Sequence, residues 1–186
     1  MSAAREVFSE LGYDAATFQA IALRADLTRP AINHYFSSKH VLYREVVERT
    51  DAIIIAACIE RARGQTTLMG RLSAFVDAAV QANSEDRAAA AFLVTSVLES
   101  QRHPELKLAE HDSLANSRAF LAWAVSDAIE TGELTTEADI PTLVETLVAM
   151  LWGLGFYAGF VGQDVLEAIT DQWRQLIFGR LWKISG

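Results

Sequence analysis

Residues 17–36 read TFQAIALRADLTRPAINHYF. Thr17 and Thr28 are good helix N-caps, because a threonine oxygen accepts a first-turn N–H that otherwise lacks a partner. Each opens a short helix. The first buries Phe18, Ile21, Ala22 and Ala25. Asp26-Leu27 then turns the chain. The second tolerates Pro30 in its first turn, where no N–H is needed. Only Ile32 and Phe36 of this second helix face inward. Arg29, Pro30, Ala31, Asn33, His34 and Tyr35 leave a run of hydrogen-bonding, aromatic and small side chains. Two capped helices about a tight turn predict a helix-turn-helix, whose second helix reads a DNA major groove. Arg29 can take guanine O6 and N7, Asn33 can take adenine, and Pro30 and Ala31 can lie against a thymine methyl. The alternative is an ordinary solvated helix with a polar face.

The flanks extend this reading. Ala4, Val7, Phe8 and Leu11 recur at helical spacing, and Gly12 ends that helix in left-handed geometry. Ser37 or Ser38 starts a fourth helix that runs to about Arg63. Lys39 sits in its first turn, where the helix dipole disfavours a cation. Free N–H groups, serines and a lysine there nevertheless suit a DNA phosphate. An exposed lysine with no role is the plainer alternative.

At this point the resemblance is specific. Phe8-Ser-Glu-Leu-Gly-Tyr-Asp-Ala-Ala-Thr17, Ile21-Ala22, Arg24-Ala25 and Ala31-Ile-Asn-His-Tyr-Phe-Ser-Ser-Lys39 resemble the DNA-binding domain of TetR-family transcriptional regulators. The likeness covers about residues 3–47. It implies a homodimer that binds a palindromic double-stranded DNA operator, usually as a repressor, and leaves when a small-molecule effector enters its C-terminal domain. By motif position it implies Arg29, Pro30 and Ala31 near the bases. It implies Thr17, Thr28, His34, Tyr35 and Lys39 at or near the backbone, and Ile32 and Phe36 in the core. Three departures stand out. Members carry a basic arm and a full first helix before Ala3-Ala4, whereas this sequence opens inside that helix. Asp26 replaces the usual glycine of the turn. Asn33 stands where many members have tyrosine.

The remainder is helical, with expected helices near 67–83, 86–102, 105–131, 139–161 and 164–183 and no convincing strand. The expected fold is all-α: a helix-turn-helix domain over 1–47 and a helical-bundle domain over 48–186 for effector binding and dimerisation. Hydrophobic residues make up 51% of the 186, enough for a sizeable core, and charged residues 22%, too many apolar and too few charged for disorder. The 16 basic and 24 acidic residues give −8. Residues 1–49 hold six of each and sum to zero, so the whole excess lies in 50–186. No signal-peptide pattern and no apolar run near the membrane-spanning length are evident, so the expectation is a cytoplasmic protein without a membrane partner.

Single Cys58, in an apolar setting, excludes a disulfide framework and multi-cysteine zinc motifs and reads as a buried structural thiol. Glu99, His103, Glu110, His111 and Asp112 match no strong metal spacing, and no phosphate loop or nucleophile elbow is present. No metal, cofactor or enzymatic activity is therefore expected. Phe92, Phe120, Trp123, Met150 and Tyr157 are the candidates to line a mostly apolar effector pocket, core filling being the alternative for each. Gly153, Gly155 and Gly159 in one helix suggest close helix approach. With Trp173, Leu176 and Leu181 in the last helix they mark the expected dimer face. The rival from another class is an all-helical small-molecule carrier that does not read DNA.

Overall fold

The computed structural model describes residues 1–107 and 112–177. The described residues form helices and turns without a strand. Helix α1 (Ser2–Ala15) is kinked at Gly12, with φ 75° and ψ 172°. A side chain there would be strained, and its Cβ would lie 3.0 Å from Glu99 Oε1. Ala4, Val7 and Phe8 are buried, but the stripe stops there: Leu11, just before the kink, is half exposed. Helices α2 (Phe18–Arg24) and α3 (Arg29–Tyr35) start as the sequence predicts. Thr17 Oγ1 accepts from Ala20 N at 3.1 Å, and Thr28 Oγ1 from Ala31 N at 3.3 Å. Asp26 takes φ 53° in the turn between them.

Helix α4 (Lys39–Asp51) is capped by Ser38 and passes through a π turn (Ala52–Ala56) into α5 (Ala57–Arg63). This is the single rod expected from the sequence, with one change of pitch that turns Ile54 and Ile55 into the core. Then come α6 (Leu68–Glu85) and α7 (Arg87–Arg102). The helix expected from 105 begins later. Pro104–Leu106 forms a 3₁₀ turn, and α8 (Ser113–Glu130) opens where Asp112 Oδ1 accepts from Ala115 N at 2.9 Å. Helix α9 (Ile140–Phe156) runs on through a second π turn (Tyr157–Val161), and α10 (Gln163–Ile177) follows. The continuous helix Ile140–Val161 corrects one expectation. Its 22 residues are long and apolar enough to cross a membrane, with Glu145 the single charge. Here one side packs against α7 and α8, and 28% of its apolar window is buried within the subunit.

Three apolar groups result, the smallest made by Ala90, Ala158 and Leu166. The first joins α1–α4 and takes in Phe92 of α7 and Leu106. The second joins the first π turn and α5, α6, α7, α8, α9 and α10. Trp173 belongs to this second group and is 7% exposed, so it is a core residue and not part of a dimer face. Leu181 lies outside the described residues. Gly159 does meet another helix closely, but within the chain: a Cβ there would lie 2.7 Å from Ala91 Cα. Gly153 meets nothing within 4 Å.

Candidate DNA interface and effector cavity

Helix α3 presents Arg29, Pro30, Asn33, His34 and Tyr35 to solvent, with Ala31 half-buried and Ile32 beneath. Tyr35 is 75% exposed, and its ring meets His34 edge-on at 5.3 Å. Thr17 and Thr28 are also exposed. The sequence-selected DNA residues, Ala31 and Lys39 apart, therefore share exposed positions in and around the α2–α3 pair.

The cations are less freely available than their number suggests. Arg24 bonds Glu10 at 2.7 Å and Glu6 at 2.9 Å, clamping α2 to α1 and holding the Glu10 carboxyl below its ordinary range. Arg5 pairs with Asp86, and Arg49 with Glu45 at 2.6 Å. Lys39 Nζ donates to Tyr13 O at 2.6 Å and Asp14 O at 3.0 Å, and lies 4.5 Å from the Tyr13 ring centre. It ties the end of α1 to the start of α4, so its charge sits on helix-terminal carbonyls rather than in open solvent. Arg29 and Arg44 are the two cations of residues 1–49 without a partner among the described residues. The sequence reading missed Arg44; its place on the exposed face of α4, between buried Tyr43 and Val47, was the available signal.

A polar joint links this domain to α7. Tyr13 N donates to Glu99 Oε1 at 3.3 Å, His103 Nε2 lies 3.2 Å from Asp14 Oδ2, and His40 Nε2 lies 3.2 Å from Glu105 O. Beneath it Phe92 packs on Phe8 and Tyr43. Burial raises the Tyr43 hydroxyl above its ordinary pKa, with Glu99 adding to the effect. Glu99 and His103 thus act in the joint, while Glu110 and His111 lie outside the described residues. Cys58 is buried, and desolvation pushes its thiol up to about 12, as suits an inert structural residue.

An apolar cavity of about 60 Å³, room for about five waters, lies between the first π turn, α6, α7, α9 and the second π turn. Ile54, Phe75, Val76, Leu93, Val94, Leu151, Trp152, Ala158 and Leu166 are among its walls, and no lining side chain is charged. Ser117 is its hydroxyl, and it donates to Ser113 O at 2.7 Å. None of the five sequence-selected pocket residues lines it. Phe92 is in the joint. Phe120 stacks on Phe75 at 5.7 Å, and Trp123 is exposed with Arg71 4.3 Å from its ring. Met150 packs against the second apolar group, and Tyr157 is 37% exposed beside Phe156. On α7, α9 and the second π turn the neighbouring residues line the cavity instead. One position is about 100° around a helix, so the sequence-selected residues and the cavity's walls lie on different faces of these helices.

Residues 1–46 match the family described as bacterial regulatory proteins, tetR family, and residues 69–176 match the BetI-type transcriptional repressor C-terminal domain. UidR of Escherichia coli K12 is 23% identical over 154 residues, covering 83% of this chain and 76% of its own. Among solved structures, PfmR of Thermus thermophilus aligns with a TM-score of 0.76 at 22% identity, over 98% of both chains. FadR of Bacillus subtilis, in complex with stearoyl-CoA, aligns at 0.73 and 20% over 97% and 96% of the two chains. An all-α fold, a threonine-capped reader and matches over both parts of the sequence agree: the chain belongs to the TetR family of bacterial transcriptional regulators, with a BetI-type C-terminal domain.

Proposed function

We propose that this chain is a cytoplasmic repressor that binds a palindromic DNA operator as a homodimer and leaves it when a small, mostly apolar effector fills the cavity. The division falls near residue 47. Arg29, Pro30, Ala31 and Asn33 read bases. Thr17, Thr28, His34, Tyr35 and Arg44 hold the backbone. Lys39 positions the reader through α1. The second copy sits on the apolar side chains left exposed at the end of α9, its π turn and α10: Phe156, Phe160, Val161, Val165 and Leu176.

The supporting observation is the double role of α7. Its Ala90, Leu93 and Val94 line the cavity, while its Phe92 and Glu99 are built into the reader domain. A ligand larger than the resting cavity presses α7 away from the Gly159 contact and so moves the reader. Only a ligand that favours one arrangement of the readers shifts DNA binding. Selection of duplexes from a random pool tests this. The expected product is an inverted repeat with half-sites about one helical turn, or a multiple, apart. A pool without an enriched repeat overturns the reading.

A further inference from the structure

Helix α8 contributes one residue to the apolar cavity, and it is Ser117. Of the described lining side chains only Ser117 and Trp152 carry a polar atom. An indole donates and cannot accept, so Ser117 alone among them can receive a proton donor. Ser117 is buried, and its own proton is committed: Oγ donates to Ser113 O at 2.7 Å. A hydroxyl keeps two lone pairs besides that proton. Ser117 therefore accepts from a ligand at no loss, and donates to one only by giving up the bond it already has.

The acceptor is also held in place. Ser113 Oγ donates to Asp51 Oδ1 at 2.6 Å, and Asp51, the last residue of α4, is buried. This bond ties the first turn of α8 to the end of α4, just before the first π turn brings Ile54 and Ile55 to the cavity. Ser117 lies one helical turn beyond Ser113 and is fixed at the wall with it. A group placed in advance loses little freedom when a ligand meets it.

We propose that the effector is a neutral, compact apolar molecule with one hydroxyl or N–H donor, received by Ser117 Oγ; the proposal rests on the cavity being the effector site. A carboxylate, phosphate or ammonium would be desolvated there without a charged partner among the described lining side chains. A ligand with acceptors alone finds no free proton at Ser117.

Calorimetry on the full chain at pH 7, with phenol, toluene and benzoate, tests the proposal. The three share a ring and differ in donor and charge. In the Ser117→Ala variant the affinity for phenol should fall about tenfold, while that for toluene stays within about twofold. Benzoate should bind both chains more weakly than toluene does. Alanine suits the helix interior, so the variant should fold, and its toluene affinity reports that the cavity is intact. Toluene binding without phenol binding, or a phenol-to-toluene ratio that Ser117→Ala leaves unchanged, overturns the role of Ser117. Benzoate binding as tight as that of toluene overturns the neutral class. Each of these leaves the cavity reading standing. Failure of both toluene and phenol to bind the wild-type chain overturns the cavity reading itself.

Discussion

The two working surfaces of this chain are opposites. The reader face of α3 is exposed, polar and rigidly placed, with its start fixed by Thr28 and its inner side by Ile32. The cavity is recessed, uncharged and small, and its shape depends on how closely α7 and the second π turn approach. A reader works through the identity of a few outward side chains. A cavity works through distances between backbones. Substitutions should therefore act on binding without touching stability at the first site, and on stability and switching together at the second.

The largest expected effect lies at the second. Gly159→Leu places a Cβ 2.7 Å from Ala91 Cα and 2.8 Å from Ala91 N, atoms that cannot turn aside. The helices must separate, at a cost of about 3 kcal/mol in urea unfolding. An unchanged midpoint would show that the two backbones are not in contact.

Arg29→Ala is the matching change at the first surface. It should cost about 1–3 kcal/mol on the selected duplex, relax base preference, and leave the unfolding midpoint in place. Loss of affinity that is equal on all duplexes would make Arg29 a backbone contact.

Lys39→Ala breaks the contrast in a useful way, because Lys39 lies in the reader yet acts inside the protein. Losing two charge-assisted bonds to the Tyr13 and Asp14 carbonyls should lower stability by about 1–2 kcal/mol. A variant of full stability with weakened binding to all duplexes and a flatter salt dependence would return Lys39 to the phosphate role that its motif position implies.

The same contrast explains what was legible in the sequence. Caps are local: a threonine three residues before a free N–H announces itself, so Thr17 and Thr28 were found with their helices. The left-handed turn was legible because Asp26 stands where the family has glycine. The pocket was not legible. Most of its walls are small and medium side chains such as Val76, Leu93 and Ala158, and these, like the larger Phe75 and Trp152, differ from other core residues only in what faces them. Trp173 misled for a related reason. An apolar helix near the end of the sequence looked like an interface, but its tryptophan turns into the subunit and leaves Leu176, 38% exposed, on the outside.

The smallest expected effect lies where the two regions meet. The Tyr43 hydroxyl is buried between α4 and α7 with no hydrogen-bond partner among the described residues. Removing an unpartnered buried polar atom relieves its desolvation cost, so Tyr43→Phe should be neutral or stabilising by up to about 1 kcal/mol. It should also change the alkaline limb of stability. The folded chain holds the Tyr43 proton above the ordinary value of 10.0, chiefly because burial disfavours phenolate. As pH rises through that ordinary value, the unfolded chain releases the proton while the folded chain keeps it. The unfolded state is then favoured, and stability falls with increasing pH. The wild-type chain should lose stability above about pH 10 more steeply than Tyr43→Phe, and the two should run parallel below about pH 9. Parallel curves throughout would mean that this hydroxyl reaches water, and that the joint between reader and effector domain is looser than its packed rings indicate.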